Sequence, residues 1–202
     1  MKKLIFGLTV LAIIASGCTK TKPESEDADA VEMSETTDTL QETKILIAYY
    51  SLSGNTKIAA EQIQALTGAD IFEIEILDPY PADYNATIER ARSEREAGYR
   101  PELTTKVDNI ADYDVIFIGS PNWFNTLSLP VFSFLESHDL SGKVIAPFIT
   151  HGRGGLQNTI TDLKALCPDS IFLEEFVIAG VEIENNKEMI SQWLERIGML
   201  NE

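Results

Sequence analysis

The stretch Ser51-Leu52-Ser53-Gly54-Asn55-Thr56 sets three hydroxyls, one amide and one glycine within six residues. It follows the apolar run "KILIAYY" (44–50) and leads into a helical pattern. A helix N-terminus offers free N–H groups and the positive end of the helix dipole, and both favour an anion. Gly54 permits close backbone approach. Ser51, Ser53 and Thr56 add hydroxyl donors, and Asn55 adds an amide donor. No Lys or Arg occurs before Lys57, so the loop suits a phosphate monoester held by neutral donors. It does not match the Gly-Lys-Ser/Thr loop of nucleotide triphosphatases. Taken alone, the same residues serve equally well as a helix cap without a ligand.

Two further loops carry chemistry. Ser120-Pro121-Asn122-Trp123-Phe124-Asn125 places two aromatics after a proline, where they can stack on a flat heterocycle. Thr150-His151-Gly152-Arg153-Gly154-Gly155 combines small residues with a histidine and an arginine. His151 reads as a hydrogen-bonding loop residue. Arg153 either faces solvent or sets a positive charge beside a bound anion. In the segment 78–108, Arg90, Arg92 and Arg95 could grip an anion, or form a solvated helix face paired with Glu89, Glu94 and Glu96. Cys167 reads as a small core or surface residue, and no Cys/His cluster has zinc-ligand spacing.

These loops need a scaffold, and the pattern around them supplies one. Apolar runs rich in Ile, Val and Phe recur at 44–50, 71–76, 114–120, 143–150 and 170–180. Between them lie helical stripes: Ile58, Ala59, Ile63 and Leu66; Val131, Phe132 and Leu135; Leu156, Ile160, Leu163 and Leu166; and Met189, Ile190, Trp193, Leu194 and Ile197. Alternating strands and helices give βαβ units and a parallel sheet. The spacing predicts a five-stranded, doubly wound α/β domain with a helical insertion after the second strand. In such sheets ligands bind beyond the carboxyl ends of the strands, where the three loops fall. A phospho-receiver domain is excluded, since Tyr50-Ser51 and Ser120-Pro121 stand where it needs clustered acids.

The ends of the chain read differently. Lys2 and Lys3 precede an apolar run from Leu4 to Ile14, then Ala15-Ser16-Gly17-Cys18. The run is too short to span a bilayer, which needs roughly 20 residues. The pattern is that of an export signal over 1–17, and its end resembles a bacterial lipobox. Cleavage before Cys18 and lipidation of its thiol are expected, anchoring the protein to a membrane of the bacterial cell envelope. Residues 18–43 would form a disordered acidic tether, because 19–43 hold eight acids, two lysines and little large apolar surface. The domain spans 44–202. The chain carries a formal net charge of −16, which argues against nucleic acid as a partner.

Together the loops resemble a known family. Ser-x-Ser-Gly-Asn-Thr after the first strand looks like the phosphate loop of the flavodoxins. "GSPNWFNTLSLPVFSFLE" (119–136) and "PFITHGRGG" (147–155) look like the second and third flavin loops of the flavodoxin-like family. The resemblance runs through essentially all of 44–202. It implies sheet order 2-1-3-4-5 and non-covalent binding of FMN. Ser51, Ser53, Gly54, Asn55 and Thr56 would cradle the phosphate. Pro121, Asn122, Trp123 and Phe124 would line one side of the isoalloxazine, and Thr150, His151 and Gly152 would approach its other edge. The implied function is electron transfer at the cell envelope, with a redox partner protein or a small oxidant or reductant. An FMN-dependent NAD(P)H/quinone reductase-like enzyme and a non-redox binding lipoprotein stay open. The chain departs from the family pattern in having no glycine at 121–125, where only Asn122 or Asn125 adopts positive φ cheaply.

Overall fold

A computed structural model describes residues 43–200. The expected export signal, Cys18 and most of the acidic tether lie outside the described residues. Strand β1 (Ile45–Tyr49) leads to helix α1 (Asn55–Thr67) and strand β2 (Asp70–Glu73). Helix α2 (Tyr84–Glu96) precedes β3 (Val115–Pro121), then α3 (Leu129–Ser137) and β4 (Val144–His151). After α4 (Thr159–Leu166) come β5 (Ile171–Phe172), β6 (Phe176–Ala179) and α5 (Lys187–Arg196). All named strand pairs are parallel, in the order β2-β1-β3-β4-β5, with β6 also pairing β4.

Alternation along the strands splits the core in two. Leu46 and Ala48 join one apolar cluster with Phe134 of α3 and Leu163 of α4. Ile47 and Tyr49 join the other, with Ala59 and Ile63 of α1 and Trp193 of α5. Both faces are covered, which is why β3 and β4 read as almost continuous apolar runs. Gly119 belongs to this packing: a Cβ there would lie 2.2 Å from Phe148 Cζ and 2.7 Å from Tyr49 Cβ. Gly68 closes α1 with φ 69° and donates its N–H to Gln64 O.

Several stripes shift by a position. In α1 the buried side is Thr56, Ala59, Ala60 and Ile63, while Leu66 is exposed. In α3 Phe134 is buried in place of Phe132, whose ring lies under Arg100. Met189 of α5 is exposed.

The run 170–180 is two short strands rather than one, which makes the sheet six-stranded. Val144 pairs with Ile171, but Phe148 pairs with Phe176, so one extra residue has entered the edge. Leu173 N donates to Ile145 O, so Ile145 and Pro147, two residues on, direct their backbones toward this edge. Pro147 has no N–H to give, and the ladder breaks beside it.

The insertion after β2 folds back on itself. Ile76 bridges antiparallel to Leu103, Leu77 N donates to Glu102 O, and Thr104 N donates to Glu75 O. Asp83 caps α2 by accepting from Ala86 N at 2.8 Å. Arg90 is consumed within this arm, pairing with Glu94 at 2.7 Å and Asp78 at 3.2 Å and donating to the carbonyls of Asp78 and Pro79.

Candidate functional site: a cleft at the carboxyl edge of the sheet

The loops after β1, β3 and β4 meet at one rim. Thr56 and Thr150 share a buried 2.8 Å hydrogen bond between their hydroxyls, tying the first loop to the end of β4. Asn122 N donates to Thr150 O at 2.8 Å, and Asn122 Nδ2 donates to Gly155 O at 2.6 Å. These bonds fix the second loop to the third. The base of the second loop is held by Ser120 Oγ, which accepts from Ser128 N. Thr126 donates its hydroxyl to Asp162 of α4.

Between the loops lies a cleft of about 290 Å³. Ser53, Asn55 and Thr56 line it from the first loop, Pro121, Asn122 and Trp123 from the second, and Thr150, His151 and Gly152 from the third. Gly54 caps α1 with φ 90°, and no side chain caps the helix. The first intrahelical bond runs from Ile58 N to Gly54 O, so the N–H groups of Asn55, Thr56 and Lys57 have no intrahelical carbonyl. Ser51 Oγ and His151 Nδ1 are buried without a hydrogen-bond partner among the described residues. Three side-chain atoms share that condition there, the third being Gln62 Oε1, so two of the three lie in the loops around the cleft. Buried polar atoms are rarely left unpaired, because each such atom costs about 1–3 kcal/mol.

Trp123 is held edge-on by two tyrosines. Its ring centroid lies 5.7 Å from Tyr50 and 5.1 Å from Tyr80, with interplanar angles of 89° and 81°. Burial pushes both phenols well above their usual pKa, and the 2.6 Å bond from Tyr80 to Glu94 adds to the shift at Tyr80. Both tyrosines therefore stay neutral across the physiological range. Phe124 and Asn125 form the turn that carries Trp123, with φ of 51° and 71°. Trp123 and Thr126 exchange both backbone hydrogen bonds across it. Positive φ at both central residues is the mark of a type I′ turn, and it is costly at a bulky residue such as Phe124.

A family model described as Flavodoxin matches residues 44–197. A candidate flavoprotein from Bacteroides eggerthii DSM 20697 is 34% identical, with a TM-score of 0.68, covering 77% of this chain and 98% of its own. A candidate flavoprotein from Bacteroides uniformis ATCC 8492 is 29% identical with the same TM-score, covering 77% and 99%. A Lactobacillus acidophilus NCFM flavoprotein in complex with FMN is 22% identical, with a TM-score of 0.62, covering 75% and 98%. The chain belongs to the flavodoxin family.

The cleft differs in detail from the sequence expectation. Phe124 does not line it; the I′ turn aims Phe124 toward α2, into an adjoining recess. Ser51 and Gly54 sit in the loop without lining the cleft, and Arg153 is exposed and also outside its lining. Leu52, Tyr84, Gly180 and Val181 line it without having been singled out from the sequence. Gly180 follows β6 and packs on Asn55: a Cβ there would lie 2.3 Å from Asn55 Nδ2. The signal was available, since Gly180 ends an apolar run at the same edge of the sheet as the three loops.

Proposed function

We propose that this chain binds FMN in the cleft and passes electrons at the bacterial cell envelope. The observation that carries the reading is the uncapped N-terminus of α1, whose free N–H groups stand at the cleft together with the unpartnered, buried Nδ1 of His151. This donor set fits a phosphorylated flavin. Ser53, Asn55, Thr56 and the free N–H groups of α1 would hold the phosphate. Trp123 would face the ring system, and Thr150, His151 and Gly152 would meet its polar edge. When bound, the flavin supplies reversible one- and two-electron chemistry. The protein's part is to exclude water with Trp123, Leu52 and Tyr84 and to orient the ring by fixed loop donors.

An acidic domain suits a redox partner with a basic face, whose approach such charge would steer. The lipobox-like Ala15-Ser16-Gly17-Cys18 supports the envelope location. A stand-alone reductase is the second reading, favoured by the apolar recess that adjoins the cleft.

Titrating the purified domain with FMN tests the first claim. We expect stoichiometric quenching of flavin fluorescence; flavin that stays fluorescent at micromolar protein would sink the reading. For the location, Cys18→Ser is expected to shift the protein from the membrane fraction to the soluble one.

A further inference from the structure

Beside the flavin cleft lies a second cavity of about 270 Å³, lined by Leu52, Thr87, Ile88, Ala91, Trp123 and Phe124 among others. Ile88, Ala91, Arg92 and Arg95 follow helical i, i+3, i+4, i+7 spacing on α2, with Tyr84 one turn before them; Tyr84, Ile88 and Ala91 line the cavity, and Arg92 and Arg95 stand beside its Phe124 wall without lining it. Arg92 Cζ lies 5.8 Å and Arg95 Cζ 6.0 Å from the centre of the Phe124 ring. Both side chains are exposed, and neither pairs with a carboxylate among the described residues. Arg90, Arg100 and Arg196 each do. In a chain of net charge −16, two exposed guanidinium groups without a carboxylate partner thus stand beside one aromatic ring. Phe124, which lines this cavity, holds a φ of 51°, an unfavourable conformation for a bulky residue.

We propose that this recess is a binding site for a small planar aromatic anion, a ring of naphthalene size carrying a carboxylate. Apolar walls from Ile88, Ala91, Trp123 and Phe124 take the ring. Arg92 and Arg95 take the charge by charge-assisted hydrogen bonds. Trp123, Leu52, Tyr84 and Asn122 line both cavities, so such a molecule would bind next to the cleft residues. The assignment of this site as a substrate site rests on the proposed flavin cleft; the binding itself does not.

The test uses 2-naphthoate and its neutral analogue 2-naphthamide, titrated calorimetrically into the protein before and after loading with FMN. FMN binding is measured first and separately, so its failure strikes the proposed function and not the recess. Naphthoate is expected to bind about tenfold tighter than naphthamide, with one site per chain, and to bind the FMN-loaded protein undiminished. The double variant Arg92→Gln/Arg95→Gln, on an exposed helix face, should lose that tenfold preference while its naphthamide and FMN affinities stay within about twofold of wild type. Equal affinity for the two compounds would overturn the proposal. So would competition between naphthoate and FMN, or a preference that survives the double substitution.

Discussion

The two tryptophans of this chain do opposite work. Trp193 of α5 is wholly buried, packed 5.7 Å from Phe117 and 5.3 Å from Phe176, and its Nε1 donates to Glu174 O at 2.9 Å. Every requirement of its ring is met by the core. Trp123 is only partly buried, braced at its edges by Tyr50 and Tyr80, and it lines both cavities. The first closes one face of the sheet; the second is stiffened from behind and left open in front. A binding surface of this kind needs an aromatic whose position is fixed by its neighbours while part of it stays uncommitted.

The strongest way to break this contrast is Trp193→Ala. It should cost about 3–5 kcal/mol, a large share of the roughly 5–15 kcal/mol that holds a domain together. Urea denaturation should show it, and whatever folded protein remains should bind FMN with near wild-type affinity. Trp123→Ala inverts the pattern: FMN affinity should fall about tenfold, with stability lowered by only ~1 kcal/mol. Equal stability losses from the two substitutions would remove the distinction.

Thr56→Val probes the seam between the first loop and β4. It deletes the 2.8 Å bond to Thr150 and should cost ~1 kcal/mol, with a smaller loss of FMN affinity than Trp123→Ala. Cys167 gives the smallest effect on the cleft. Burial pushes its thiol up to about 11. The unfolded chain therefore ionises this thiol first, and the stability it contributes is complete below the ordinary thiol range near 9 and erodes as pH rises toward about 11. At pH 8 a thiol reagent should label native protein slowly and urea-unfolded protein fast, with FMN binding unchanged.

Particular residues show what was legible in the sequence. The three loops were legible because strand and helix periodicity is local, and because each follows directly on an apolar run and is marked by small and polar residues. Ser53, Asn55, Thr56, Pro121, Asn122, Trp123, Thr150, His151 and Gly152 all line the cleft. The break at Pro147 was not legible, since its cost falls on a partner strand some 27 residues further on. The direction of Phe124 was not legible, because a run of two aromatics gives no sign of which one a tight turn will reverse. Tyr84 and Gly180 were not assigned to the cleft for a related reason: each reaches it from an element far from the loops in sequence.

Alternating apolar runs and helix-start chemistry, written in the chain itself, determined a doubly wound sheet with polar loops at one edge. Only tertiary packing decided which side chains those loops present, because that depends on neighbours contributed from distant segments: Tyr50 and Tyr80 against Trp123, Gly180 against Asn55, and α2 against Phe124. Short-range periodicity carries no record of such pairings, since they are set by which surfaces exclude water together once the sheet has formed.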